Sequence, residues 1–224
     1  MRHSDIESVA DIHALSYGVG HDDSAPNAIS SEVGIDFRQR RLEAIRLLEY
    51  AVPQYLSMVA TTADTGEVVA YFVGVDYALM DPNPRSSDPR AGPVQALVKD
   101  LTEQCHVVLT NNAPQARVLP GQVVHCGPGG VHKRFRTHKL SPLLANALEK
   151  IVCERGFVAY QLEAVGAASC TLWQRSGATV VAQADFTKHA TFAAVPGAIA
   201  MAMLMWLTPD RKPVPIRIAP KANL

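Results

Sequence analysis

Apolar residues recur at helical spacing at Ile6, Val9 and Ile12, with His13 beside them, as far as about Tyr17. Ser4, Asp5, Ile6 and Glu7 ahead of them read as a capping box, so a first helix is predicted. Gly18 to Gly34 is rich in Gly, Asp, Ser and Asn and predicts a loop, of the kind that often borders a ligand site. From Asp36 to Tyr50, Leu42, Ile45, Leu47 and Leu48 form one stripe while Arg38, Arg40, Arg41, Arg46 and Glu49 face water, which predicts a second amphipathic helix. Leu56 to Thr62 and Glu67 to Tyr77 are rich in Val, Met, Tyr and Phe and are joined by Ala63, Asp64, Thr65 and Gly66, a hairpin pattern.

Asp81 to Pro93 carries four prolines and predicts an exposed connection. Val94 to Leu109 then reads helical, with Leu97, Val98, Leu101, Cys105 and Val108 on one side. Gln122 to Cys126 predicts a strand whose ladder Gly127, Pro128, Gly129 and Gly130 interrupt. Ser141 as N-cap and Pro142 as first helical residue predict a helix with Leu143, Leu144, Ala147, Leu148 and Ile151 as its buried stripe, ended by Gly156. Strands at Val158 to Ala164, Ala178 to Phe186 and Ala198 to Leu207, with a helix at Ala167 to Ser176, complete the pattern. The order describes an α/β sheet of mixed strand direction in one domain, residues 1–207, followed by a Pro-rich basic tail, 208–224, expected to be extended along the surface.

Lys plus Arg equals Asp plus Glu at 21 each, so bulk charge draws the chain neither to nucleic acid nor to an anionic membrane. The polar start, from Met1 to Ser8, and the lack of any apolar run near 18 residues predict a cytoplasmic enzyme with no membrane partner. Cys105, Cys126, Cys153 and Cys170 lie far apart and form no CxxC pair, so free thiols and no metal site are expected. No GxSxG, HExxH or P-loop pattern occurs, which sets aside the common hydrolase, zincin and nucleotide-triphosphatase chemistries.

Val131 to Leu144, reading VHKRFRTHKLSPLL, resembles the coenzyme A-binding signature of the GNAT superfamily, a valine-ended strand followed by Q/RxxGxG/A and a helix. Arg136, Thr137, His138, Lys139, Leu140 and Ser141 stand in the turn, with Lys139 and Ser141 where the family has two small residues. Such a turn aims backbone N–H groups and a positive helix end at a diphosphate. Tyr160 to Ala164 and Leu172 to Ala178 resemble the family's LEA…LYxxxGF pattern. The resemblance spans Ser4 to Leu207. It implies a mixed, mostly antiparallel central sheet flanked by helices, with an inserted helix before the family's fourth strand, here Gln122 to Cys126. It also implies acetyl-CoA or another acyl-CoA as co-substrate, bound by Val131, His132 and Arg136 to Ser141. Trp173 replaces the family's acidic tyrosine, and the first strand is short or absent, which would leave an edge exposed or covered by a partner such as a second copy.

Acyl transfer to an amine needs a base with a pKa near the working pH, and histidine meets that demand best. His125 lies on the strand before the cofactor turn, and the arylalkylamine N-acetyltransferase branch, to which VHKRFR is similar, carries histidines on the equivalent strand. His125 is the candidate base, weighed against a histidine merely satisfied on the sheet. Glu163 is the second candidate, weighed against an ion-paired carboxylate, and Asp76 the third. Cys126 neighbours His125 but points to the opposite face of a regular strand, so a thiolate and base pair would need a distortion there. The expected function is acyl-CoA-dependent N-acetylation of a small amine. Its competitor is a GNAT fold turned to lyase or cyclase chemistry or to non-catalytic binding. A nucleic-acid or protein interaction role would rest only on the basic patch from Lys133 to Lys139.

Overall fold

The computed structural model describes residues 1–17, 25–80, 89–112, 119–192, 195, 199–207 and 213–214. Three helices, α1 (Ile6–Tyr17), α2 (Ala25–Val33) and α3 (Phe37–Ala51), precede the hairpin β1 (Met58–Thr61) and β2 (Val68–Asp76). Then follow α4 (Gly92–Asn112), β3 (Val123–Val131), α5 (Leu140–Glu154), β4 (Ala159–Val165), α6 (Ala167–Arg175), β5 (Thr179–Asp185), β6 (Ile199–Leu207) and a two-residue β7 (Pro213–Val214). The strands form one sheet in the order β1-β2-β3-β4-β6-β5, with β7 on β6. Only β3 and β4 run parallel. This is the mixed, mostly antiparallel sheet with an inserted helix, α4, that the sequence pattern predicts.

Alternation along the strands divides the apolar residues between the two faces. On one face Tyr71, Val73 and Val75 of β2 pack under Ile6, Val9 and Ala10 of α1 and Leu48 of α3. Val75 pairs with His125, so His125 and Val123 share that face, where Leu101, Cys105 and Leu109 of α4 cover Val123, Ala159 and Leu204. The opposite face buries Phe72, Val124, Cys126, Tyr160 and Leu162 beneath Leu144 and Leu148 of α5 and Trp173 of α6. No described helix is long and apolar enough to cross a membrane.

Several local expectations are corrected. The first helix is entered through a 3-10 turn, His3–Asp5, where the Arg2 amide donates to the Asp5 carboxylate at 2.6 Å, so Asp5 and not Ser4 closes the start. Part of the predicted loop from Gly18 to Gly34 is α2, because Ile29 and Val33, four residues apart, both bury; residues 18–24 lie outside the described residues. α3 turns Ala44, Leu48 and Ala51 inward, small residues that admit close helix packing, and leaves Leu42 43% exposed. In α5 the buried stripe is Leu144, Ala145, Leu148 and Val152, whereas Leu143 is exposed. Of the proline-rich connection only Pro89–Ala91, a 3-10 turn, and Gly92 and Pro93, the start of α4, are described. No described strand precedes α1; the Met1 ammonium donates to the Ser57 carbonyl at 3.0 Å, just before edge strand β1. Of the tail, Pro213 and Val214 pair with Leu207 and Trp206, and the rest lies outside the described residues.

The largest correction concerns Gly127 to Gly130. They do not end β3; they carry it on to Val131 as a partner of β2. Phe72 pairs with Gly129 and Gly74 with Cys126, so Gly127 and Pro128 together face Val73, a β-bulge. Pro128 fits because a bulged residue needs no ladder N–H. Gly129 and Gly130 are glycines for want of space: a Cβ at Gly129 would lie 2.9 Å from the Phe72 ring, and one at Gly130 2.6 Å from the Tyr71 ring. Gly130→Ala is therefore expected to destabilise the fold by about 1–3 kcal/mol through overpacking. Gly92→Ala, with open space around it, should stay within about 0.5 kcal/mol; urea unfolding of the two variants measures both.

Candidate active site

β3 and β4 pair from Val123↔Ala159 to Cys126↔Leu162 and then part, β3 following β2 through its bulge while β4 stays with β6. A wedge-shaped gap opens in the sheet at that point. His125 sits on the last paired stretch, opposite Gln161. Two residues on, Glu163 returns to the same face. The structure thus brings the two predicted chemical residues together: His125 Nδ1 lies 3.8 Å from Glu163 Oε2, and their side chains are 14% and 11% exposed.

Two further members were not anticipated. Gln161, fully buried, hydrogen-bonds His125 Nδ1 through Oε1 and donates through Nε2 to Glu163 Oε1. Thr102 of α4 donates to the same carboxylate oxygen at 3.0 Å. Strand alternation in Tyr160 to Ala164 does place Gln161 and Glu163 on one face, which could have marked the glutamine; nothing local marks Thr102. Asp76 is a turn anchor, its carboxylate accepting from the amides of Ala78 at 3.1 Å and Gly121 at 2.6 Å. Cys126 faces away from His125 into the opposite core, and burial, reinforced by the Glu163 charge, pushes its thiol up, so it is no thiolate nucleophile.

Past Val131 the chain enters a 3-10 turn, Lys133–His138, whose start is capped by His132, with Nδ1 accepting from the Arg134 amide at 3.4 Å. Arg136 folds back to donate from Nε to the Val131 carbonyl at 3.4 Å. Lys139 then takes φ 54° and ψ 33°. That left-handed conformation suits glycine and costs another residue about 1–2 kcal/mol. The lysine thus holds a backbone shape that glycine adopts freely. It is also the N-cap of α5, which begins at Leu140 and not after Ser141; Pro142 falls inside the first turn, where its missing N–H is harmless. The side chain of Lys139 makes no cap hydrogen bond to this helix start. The first N–H groups of α5 lack intrahelical partners and carry the positive end of the helix dipole. Lys133, Arg134, Arg136, Thr137, His138 and Lys139 are exposed around them. Such amides at a cationic turn fit a diphosphate.

On the α5 and α6 face, Trp173 is buried, its ring 5.6 Å from Phe72 in an edge contact and 6.4 Å from Tyr160. An apolar aromatic wall stands where a tyrosine acid was the family expectation.

The bulge is braced from α1. The Tyr17 hydroxyl donates to the Gly129 carbonyl at 3.1 Å, and His13 stacks on Tyr17 at 4.5 Å while sharing a 2.8 Å hydrogen bond with the Tyr71 hydroxyl. Arg40, expected to face water, turns inward: it pairs with Glu43 at 3.0 Å, donates to Ser30 at 2.9 Å and to the Tyr17 carbonyl at 3.3 Å, closing the C-terminal end of α1. Burial, with the Arg40 charge beside it, pushes His13 down to about 3, and burial pushes the Tyr17 phenol up to about 12.

No protein-family model matches the sequence, and no curated protein matches it. Solved structures do match. The C-terminal condensation domain of Ebony, in complex with beta-alanyl-dopamine, superposes with a TM-score of 0.72 at 14% identity, covering 92% of this chain and 96% of that one. The putative arylalkylamine N-acetyltransferase 7 of the yellow fever mosquito Aedes aegypti gives 0.71 at 13% identity, covering 92% and 85%. Arylalkylamine N-acetyltransferase 2 of the same mosquito gives 0.70 at 16%, covering 92% and 94%. The chain has the GNAT fold.

Two outcomes follow. With the folded His13 near 3 against an ordinary 6.5, the unfolded chain binds the extra proton between those values. Stability is therefore full above about pH 6.5 and is lost as pH falls toward 3, by a few kcal/mol at about 1.4 per unit. His13→Gln should flatten that dependence in urea unfolding series at pH 7, 5 and 4. Lys139→Gly should raise stability by about 0.5–1 kcal/mol, the relieved strain exceeding the added freedom of the unfolded chain. A loss of stability would mean that the lysine side chain itself holds the turn.

Proposed function

We propose that this protein is an acyl-CoA-dependent N-acyltransferase that acetylates a small amine, with His125 as general base. The observation that carries the reading is the parting of β3 from β4 after Cys126, one residue past His125, with a cationic turn and helix start reached from the far end of the same strand. Val131, His132 and the turn from Arg136 through Thr137, His138, Lys139 and Leu140 to Ser141 would hold the diphosphate of acetyl-CoA. When bound, the co-substrate supplies an acyl group activated as a thioester.

His125 takes the proton from the acceptor ammonium and frees the nitrogen lone pair for attack. Glu163 anchors the face on which it works. The indole N–H of Trp173 is a donor but no acid near neutral pH, so this chain has no phenol at that place to protonate the leaving thiolate.

The buried Trp173 favours one second reading, a GNAT fold serving another reaction or binding role, and a single titration separates the two. Acetyl-CoA at about a hundred times its Kd should stabilise the folded protein by about 2.7 kcal/mol, a shift of several degrees in Tm for a domain of this size. No shift at millimolar acetyl-CoA would move the assignment to the second reading. His125→Ala should lower kcat against a responsive amine about a hundredfold or more while leaving the acetyl-CoA shift intact; full turnover across pH would remove His125 from the base role.

A further inference from the structure

We infer that Gln161 is a positioning residue that fixes the tautomer of His125, placing the proton on Nδ1 and the free lone pair on Nε2. The inference rests on His125 as the base of the proposed acyl transfer, but its logic is internal to the fold.

A carboxylate can only accept hydrogen bonds. Glu163 Oε1 is already met by the Thr102 hydroxyl at 3.0 Å, and the Gln161 amide turns its NH2 to the same oxygen. The other end of that amide, the carbonyl oxygen, therefore faces His125 Nδ1. An amide oxygen is likewise only an acceptor, so Nδ1 must carry the hydrogen. In a neutral imidazole the remaining nitrogen, Nε2, is then the base.

Gln161 has no freedom to reverse. It is fully buried between two strands, and reversal would set its carbonyl oxygen against the Glu163 carboxylate, two acceptors with no hydrogen between them. Among the described residues, the neighbouring strands and α4 set no competing charge against the pair. β2 presents Val75 opposite His125, and β6 presents Leu204 and Ala202 beside Gln161 and Glu163. From α4 come Thr102 and Cys105, whose thiol burial and the Glu163 charge keep protonated. His106 of the same helix is engaged with Tyr77 and Thr110. Glu163 is thus the anchor of the arrangement and not its base. The Nδ1 hydrogen bond stays intact when Nε2 takes a proton, and the carboxylate 3.8 Å from Nδ1 then faces the new positive charge.

Long-range 1H–15N correlation of the histidine rings in the labelled full chain, with the His125 signals assigned by their loss in His125→Ala, reads the tautomer with no substrate present. The wild type should show neutral His125 protonated on Nδ1. Gln161→Leu and the near-isosteric Gln161→Met should shift it toward the Nε2–H form and lower kcat about a hundredfold at unchanged KM for acetyl-CoA. Wild-type His125 protonated on Nε2, or a tautomer unmoved in Gln161→Met, overturns the inference. Nδ1 protonation that Gln161→Met abolishes, in a protein that acetylates no amine, upholds it while removing the acyltransferase reading.

Discussion

β3 must serve two partners that lie in diverging directions, and the bulge at Gly127 and Pro128 lets it do so. A regular strand would keep hydrogen-bonding β4 beyond Cys126 and seal the sheet. The extra residue opposite Val73 bends β3 toward β2, while β4 continues its full pairing with β6. The gap is therefore a consequence of strand registry, and every other feature of the site is placed relative to it. His125 lies on the last stretch before the parting, and the turn to α5 is reached only because the strand survives the bulge. The bulge is held in shape by its tight packing on Phe72 and Tyr71 and by the Tyr17 hydrogen bond from α1.

Stability is given up in two places to keep this geometry. Lys139 holds a left-handed conformation that disfavours any side chain. On the His125 face of the sheet, Gln161 and the inner parts of His125 and Glu163 are withdrawn from water in a region where apolar side chains would pack more simply. Burying polar groups is tolerable only when their hydrogen bonds are complete. Here they are supplied from β3, β4 and α4 together, so the inserted helix is part of the site as well as its cover.

The architecture was legible because its determinants are local and periodic. Strand alternation, the Ala63 to Gly66 turn and the spacing of apolar residues in α4 and α5 each specify an element without knowledge of the rest. His125 and Glu163 could be named from type and strand position. What escaped the sequence was set by tertiary contact. Ile29 and Val33 make a helix of a polar stretch only because a core receives them, and Arg40 turns inward only because the end of α1 presents a carbonyl there. Glycine and proline in a row ordinarily stop a strand; here crowding by Phe72 and Tyr71 is what calls for glycine. A lysine does not announce the left-handed turn at position 139, because residue type suggests a conformation and does not dictate one.

The two faces of the sheet are built in different ways. On the His125 face the polar residues are buried, mutually bonded and dependent on one another, so that losing any one leaves another unsatisfied. On the opposite face Trp173, Phe72 and Tyr160 meet through ring edges and apolar contact, where an aromatic can be exchanged for another of similar volume at modest cost. An aromatic exchange at Trp173 is thus a change the packing accommodates, while His125 and its supports form a unit that resists piecemeal alteration. An ammonium has no lone pair and cannot attack until it loses its proton, whereas a thiolate can leave without a dedicated acid because a thiol ionises not far above neutral pH. The His125 face is thus the half on which the proposed acyl transfer to an amine depends more.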